Sequence, residues 1–255
     1  MVSDLKEYLD ATSDLGNASA TKTLWYRGAG NAGHALQPRL YRSEGTAATL
    51  LQKEQEMLAQ FRSRSGPLLR EQVTTDWGFL FIMQHYGVPT RLLDWSENAF
   101  LALYFAVSAA AAKGFPTDAA VWILDPAAWN EKTFPGMESP GKALHADDAA
   151  LNNFSPEKEL DNTAEGAAAM YALYNNPRII AQRGVFTVFG RSKEPLETLF
   201  EKGDFPSTAL TRLRLPQTSL AELNDQIRIL GFRESMIYPD LEGLAREIRT
   251  EHELK

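Results

Sequence analysis

The pattern of apolar and polar positions along this chain changes period several times, and each change marks an element. Residues 3–11 predict a short helix, and residues 23–28 (TLWYRG) a strand stopped by glycine. Across residues 47–64, Leu50, Leu51, Glu54, Leu58 and Phe61 recur at helical intervals. Residues 77–86 predict another helix, capped by Thr75 or Asp76 and broken by Gly87-Val88-Pro89. Ser96 and Asn98 then open a strongly apolar helix that runs to Ala112. Residues 119–124 (AAVWIL) and 184–189 (GVFTVF) are strand-like runs rich in branched and aromatic side chains. Residues 208–215 alternate in period two and predict a half-exposed strand. Ser219-x-x-Glu222 has the form of a capping box before a helix ending at Gly231, and Pro239 starts a last helix through Glu251. With helices first and strands later, the expectation is an α+β fold. N-terminal helices would cover a mixed or antiparallel sheet built from the strands of Tyr26, Val121, Val185 and Leu213.

The loosest segment, residues 131–166, is rich in Pro, Gly, Asn and acids and predicts an insertion-like excursion within one domain spanning residues 1–255. The apolar run 99–112 has fourteen residues, short of the roughly 20 that span a bilayer, so it reads as a buried helix. Residues 1–10 carry no apolar export core, which leads to the expectation of a cytoplasmic protein without membrane contact.

Composition narrows the chemistry. At 44% hydrophobic and 23% charged, the 255 residues suit a globular protein with a sizeable core. The absence of cysteine excludes disulfides, thiolate catalysis and Cys-ligated metals. A net charge of −7 argues against a broad nucleic-acid surface. Yet residues 27–91 hold eight Lys or Arg against five acids. Such a local arginine excess suits an anionic ligand, because the guanidinium fork matches phosphate, although pairing with acids from elsewhere in the fold would serve equally. His145 with Asp147 and Asp148 reads as a solvated cluster, and no metal is expected.

Two segments are denser in special residues than packing requires. In Trp25-Tyr26-Arg27-Gly28, an arginine on a strand ending at glycine can point into a cleft, and the glycine lets a backbone or a ligand approach closely. In the run from Gln84 to Asn98, Gln, His, Tyr, Thr, Arg, Asp, Trp, Ser and Asn crowd between two apolar helices. The expected constellation brings Arg27, His85, Thr90, Arg91 and Asp94 into one pocket, with Gln182 on the opposite wall. His85, Asp94 and Gln182 are the catalytic candidates. Tyr26, Arg27, Gly28, Thr90, Arg91 and Trp95 are the ligand-binding ones, with Arg91 either helping Arg27 or locking Asp94.

The strings YRG (26–28), QHYGVPTRLLDWSENAFLALYFA (84–106), RIIAQRGVFTVFG (178–190) and YPDLEGLA (238–245) resemble the FRG-domain family, best over residues 24–110. A more distant similarity is to ADP-ribosyltransferases. Their arginine-glycine element on the first core strand resembles Arg27-Gly28. Their Ser/Thr-bearing strand before an Ala-x-x-Phe-Ala helix resembles 90–94 followed by 102–106. Where they carry a third-motif glutamate, this chain offers Gln182 and Gly184 and no acid.

The resemblance implies an ADP-ribosyltransferase-like enzyme with NAD or a related nucleotide as substrate, acting on a macromolecular acceptor or releasing nicotinamide. Two other readings stand beside it. One is a non-catalytic nucleotide-sensing module of a defence or toxin system, working with a partner protein. The other is a phosphodiester hydrolase using His85 and Asp94.

Overall fold

The computed structural model describes residues 1–69, 72–136, 142–156, 162–173 and 177–252. Arg70 and Glu71, both counted in the basic segment, and parts of the 131–166 excursion lie outside the described residues.

Six strands form one open antiparallel sheet: β1 (Trp25–Ala29), β2 (Leu92–Ser96), β3 (Ala119–Leu124), β4 (Ala167–Tyr171), β5 (Gly184–Phe189) and β6 (Leu210–Leu215). Their spatial order is β4-β5-β2-β1-β3-β6. β1 pairs with β3 along its whole length, from Trp25 opposite Leu124 to Ala29 opposite Ala120. It pairs with β2 at one position alone, Tyr26 opposite Ser96. The two central strands therefore fork apart beyond that contact, and the fork shapes everything that follows.

Alternation along the strands splits the core into layers. Tyr26, Val121, Ile123 and Leu213 face a layer built by helices α1 (Leu5–Ala18), α4 (Ala99–Ala111) and α8 (Leu220–Ile229). Trp25, Leu93, Trp122 and Val185 belong to a second layer with Leu50 and Leu51 of α2 (Ala47–Ser65), Trp129 of α5 (Pro126–Thr133) and Leu196 of α7 (Leu196–Lys202). Phe186, Val188 and Met170 pack with Trp77, Leu80 and Phe81 of α3 (Asp76–His85) and Ile179 of α6 (Pro177–Ala181). The short α9 (Glu234–Ile237) and the longer α10 (Leu241–Glu251) complete the chain.

The α+β class and the antiparallel sheet are as the pattern predicts, but the division into early helices and late strands is not. β2 lies within the supposed connection, and α5, α6 and α7 alternate with the later strands. The described parts of the 131–166 excursion are also tied down. Leu144 bridges to Met170, and Leu151 and Phe154 are buried. Asn130 brackets Ala169, donating to its carbonyl and accepting from its N–H, both at 2.8 Å.

Local chemistry sets the ends of the elements. Thr75 accepts from the Gly78 N–H and starts α3, while Gly87, at φ +79°, ends it in the left-handed region that favours glycine. Asn98 caps α4 by accepting from Phe100 and Leu101. Asp240 caps α10, two residues later than the start expected at Pro239. The expected capping box at Ser219 does not form; that residue has helical dihedrals and its side chain caps nothing.

Gly28 and Gly30 explain how closely α4 approaches the sheet. A Cβ at Gly28 would stand 2.0 Å from the Ala102 carbonyl oxygen and 2.6 Å from the Ala106 nitrogen. One at Gly30 would stand 2.8 Å from the Ala110 nitrogen. The alanine-rich face of α4 and the glycines of β1 are two halves of one close contact. Among the described residues, no helix is long and apolar enough to cross a membrane.

Candidate functional site

Where β1 and β2 part, a cleft of about 350 Å³ opens between α3, α4 and α6. Tyr26, Phe81, Phe105 and Phe186 supply aromatic walls. Arg27, His85, Asp94 and Gln182, expected together from the sequence, all line it, as do Tyr26, Gly28 and Trp95.

Arg27 spans the fork. Its Nη1 donates to the main-chain oxygen of Asp94 and lies 3.8 Å from that residue's carboxylate. Burial lowers the guanidinium pKa from its ordinary value; Asp94 opposes that shift, and the nearby Arg42 adds to it. An arginine remains protonated under any such shift, so the fork carries a fixed positive charge.

Asp94, half-exposed at the mouth, is the one carboxylate among the lining residues described. Its Oδ2 accepts from Gln84 Nε2 at 2.8 Å, and Gln84 Oε1 in turn accepts from the buried Thr90 hydroxyl at 2.6 Å. Thr90 therefore acts on the cleft only through Gln84. Gln182 lines the cleft and donates its amide to the Ile237 carbonyl at 3.2 Å. Its main-chain oxygen accepts from Ser96 Oγ at 2.7 Å, which ties β2 to the turn at Arg183 before β5.

His85 is half-buried at the end of α3. Burial, and after it Arg178, lower its pKa, against weaker opposing pulls from Asp240 and Asp94. The imidazole is therefore neutral at pH 7 and able to accept a proton. An NMR titration should place the His85 midpoint below the ordinary 6.5. Between those two values the unfolded chain binds more protons than the folded one, so stability falls as pH drops through that window. His85→Asn should flatten this slope, and a midpoint at or above 6.5 would contradict the assignment.

Three expected members carry structural contacts. Arg91 is 1% exposed and pairs with Glu54, itself fully buried, through Nε and through its own N–H at 2.6 Å from Glu54 Oε1. It neither reaches the cleft nor holds Asp94; it anchors the start of β2 to α2. Trp95 reaches the lining, but its ring is buried in the layer of Trp25 and Val185, with the indole N–H donating to Thr187 Oγ1 at 3.1 Å. Gly28 accommodates α4, which accounts for that glycine without a ligand.

Sequence reasoning missed other parts of the site. Gln84 belonged to the polar run but carried no role in the expected constellation. Arg178 and Phe186 carried no role, because only the pairing of β2 with β5 brings them to the fork, whereas Phe105, part of the 102–106 stretch, arrives on α4 where that helix packs on β1. His145 stacks on Tyr171 with ring centres 4.9 Å apart, away from the cleft.

No curated protein and no solved structure matches the chain. A family model does match, over residues close to the 24–110 stretch where the resemblance is best and short of the later strings at 178–190 and 238–245. The segment that carries β1, α2, α3, β2 and α4, and with them Arg27, His85 and Asp94, is the one that matches the FRG domain, residues 22–114.

Proposed function

We propose that the forked cleft binds a nucleotide of the NAD type and cleaves its nicotinamide–ribose bond, passing the ribose carbon to water or to an acceptor. The observation that supports this most is the placement of Asp94. A carboxylate held by Gln84 and Arg27 faces a cleft with four aromatic walls and a neutral imidazole. Aromatic faces suit a planar base. A fixed carboxylate stabilises the cationic sugar that forms as the bond opens.

The bond between ribose C1′ and the nicotinamide nitrogen would break, its electron pair leaving on neutral nicotinamide. Water, losing a proton to His85, would form the new C1′–O bond. In this reading Asp94 takes the part that a third-motif glutamate would play, and Gln182, engaged with Ile237, serves as a wall.

Incubation with NAD should release nicotinamide. Asp94→Asn, which keeps the Gln84 hydrogen bond but loses the charge, should slow release about 10²–10³-fold. Equal rates in both proteins would remove Asp94 from the chemistry. NAD binding without any release would instead favour the nucleotide-sensing module, and cleavage of a phosphodiester in place of nicotinamide release would favour the hydrolase.

A further inference from the structure

Arg27 stands between two recesses. Beyond it, a smaller recess of about 220 Å³ shares Arg27, Gly28 and Ala109 with the cleft and is otherwise lined by residues that include Arg42, Lys113 and His34. No carboxylate is among the lining residues described. Glu197, which touches this wall from behind, turns both oxygens onto the Leu36 N–H at 3.1 and 3.3 Å.

Arg42 is pre-positioned. Its Nε and Nη2 donate to the Gln37 carbonyl at 2.9 and 2.7 Å, which fixes the guanidinium plane and leaves Nη1 for another acceptor. Neither Arg42 nor Lys113 has an ion-pair partner among the described residues. In a chain of net charge −7, a concave site lined by three cations, Arg27, Arg42 and Lys113, focuses a local positive potential that favours anions. Planar, bidentate arginine groups are the side chains best matched to phosphate oxygens.

We propose that this recess is the phosphate subsite of the cleft's ligand: the base lies among the aromatic walls, and the phosphates cross Arg27 to meet Arg42 and Lys113. This rests on the nucleotide reading of the cleft and adds a selection rule to it. The chain takes nucleoside phosphates and discriminates against the corresponding nucleosides.

Inorganic pyrophosphate, NAD and nicotinamide riboside, titrated calorimetrically into the wild type, Lys113→Glu and Arg42→Gln, test the rule. Lys113 is exposed, so its variant should melt as the wild type does; Arg42→Gln reports the second cation independently. Pyrophosphate and NAD should each bind at least tenfold more weakly to both variants, and wild-type binding of both should weaken as salt is raised. The affinity of nicotinamide riboside should not change. Pyrophosphate that fails to bind the wild type, or binds both variants as tightly, overturns the subsite whatever NAD does. Pyrophosphate that responds as expected while NAD fails to bind overturns the nucleotide reading of the cleft and supports the recess as an anion site in its own right.

Discussion

Glu54→Leu should destabilise the fold by about 3–5 kcal/mol, a large fraction of the stability of an ordinary domain. Glu54 is fully buried in α2 and Arg91 is 1% exposed at the entry to β2, so removing the acid strands a guanidinium away from water. Glu54 also accepts the Arg91 N–H at 2.6 Å, and the change therefore orphans a buried backbone donor as well. Adding Arg91→Met to Glu54→Leu should recover a large part of the loss, because an apolar pair of similar volume avoids the desolvation that the ions suffer. Urea unfolding of the two single variants and the double variant checks this. A double variant as unstable as the sum of its parts would mean that the residues act independently and that the ion pair is not what joins α2 to β2.

Gly28→Val is the second large effect. Its Cβ would fall 2.0 Å from the Ala102 carbonyl oxygen, inside any contact a carbon can make, and that oxygen is helix backbone that cannot rotate away. Either α4 lifts from β1 or the strand shifts, and overpacking of this kind costs about 1–3 kcal/mol or more. In a chain of 255 residues each kcal/mol lowers the melting temperature by about 2–4 °C. The shift would also move Arg27, the next residue, so ligand binding should fall with stability. Gly184→Ala provides the contrast: its Cβ would meet Ile179 Cγ2 at 3.4 Å, an ordinary contact, so it should be tolerated. If both variants melt as the wild type does, the close approach of α4 to β1 is not a constraint on the fold.

What could be read from the sequence follows how local each signal is. β3 and β5 match the predicted ranges because a run of branched and aromatic residues fills most of each. β4, Ala-Ala-Ala-Met-Tyr, carries alanines that prefer helix; it becomes a strand through pairing with β5 and through the bracket that Asn130 makes on Ala169. Periodicity does not show β2, since its five residues include Asp94 and are too short for a period to stand out; only the resemblance implies a strand there, at 90–94. The site residues Arg27, His85, Asp94 and Gln182 come to one cleft, and three of them sit in strings dense in polar chemistry. Arg91 reads as a further member because its partner is 37 positions away. The pointer was already in the helix pattern, where Glu54 occupies an apolar position between Leu51 and Leu58; an acid on a core face needs a cation.

The central claim is that Arg27 holds an anionic ligand at the fork. It is tested most directly by titrating NAD into wild-type protein and Arg27→Lys, with melting temperatures taken on the same preparations. Lysine keeps the charge but lacks the planar fork. The predicted result is a near-normal melting temperature with NAD affinity lowered at least tenfold. A large drop in melting temperature with unchanged NAD binding would contradict it and make Arg27 a structural tie between β1 and β2.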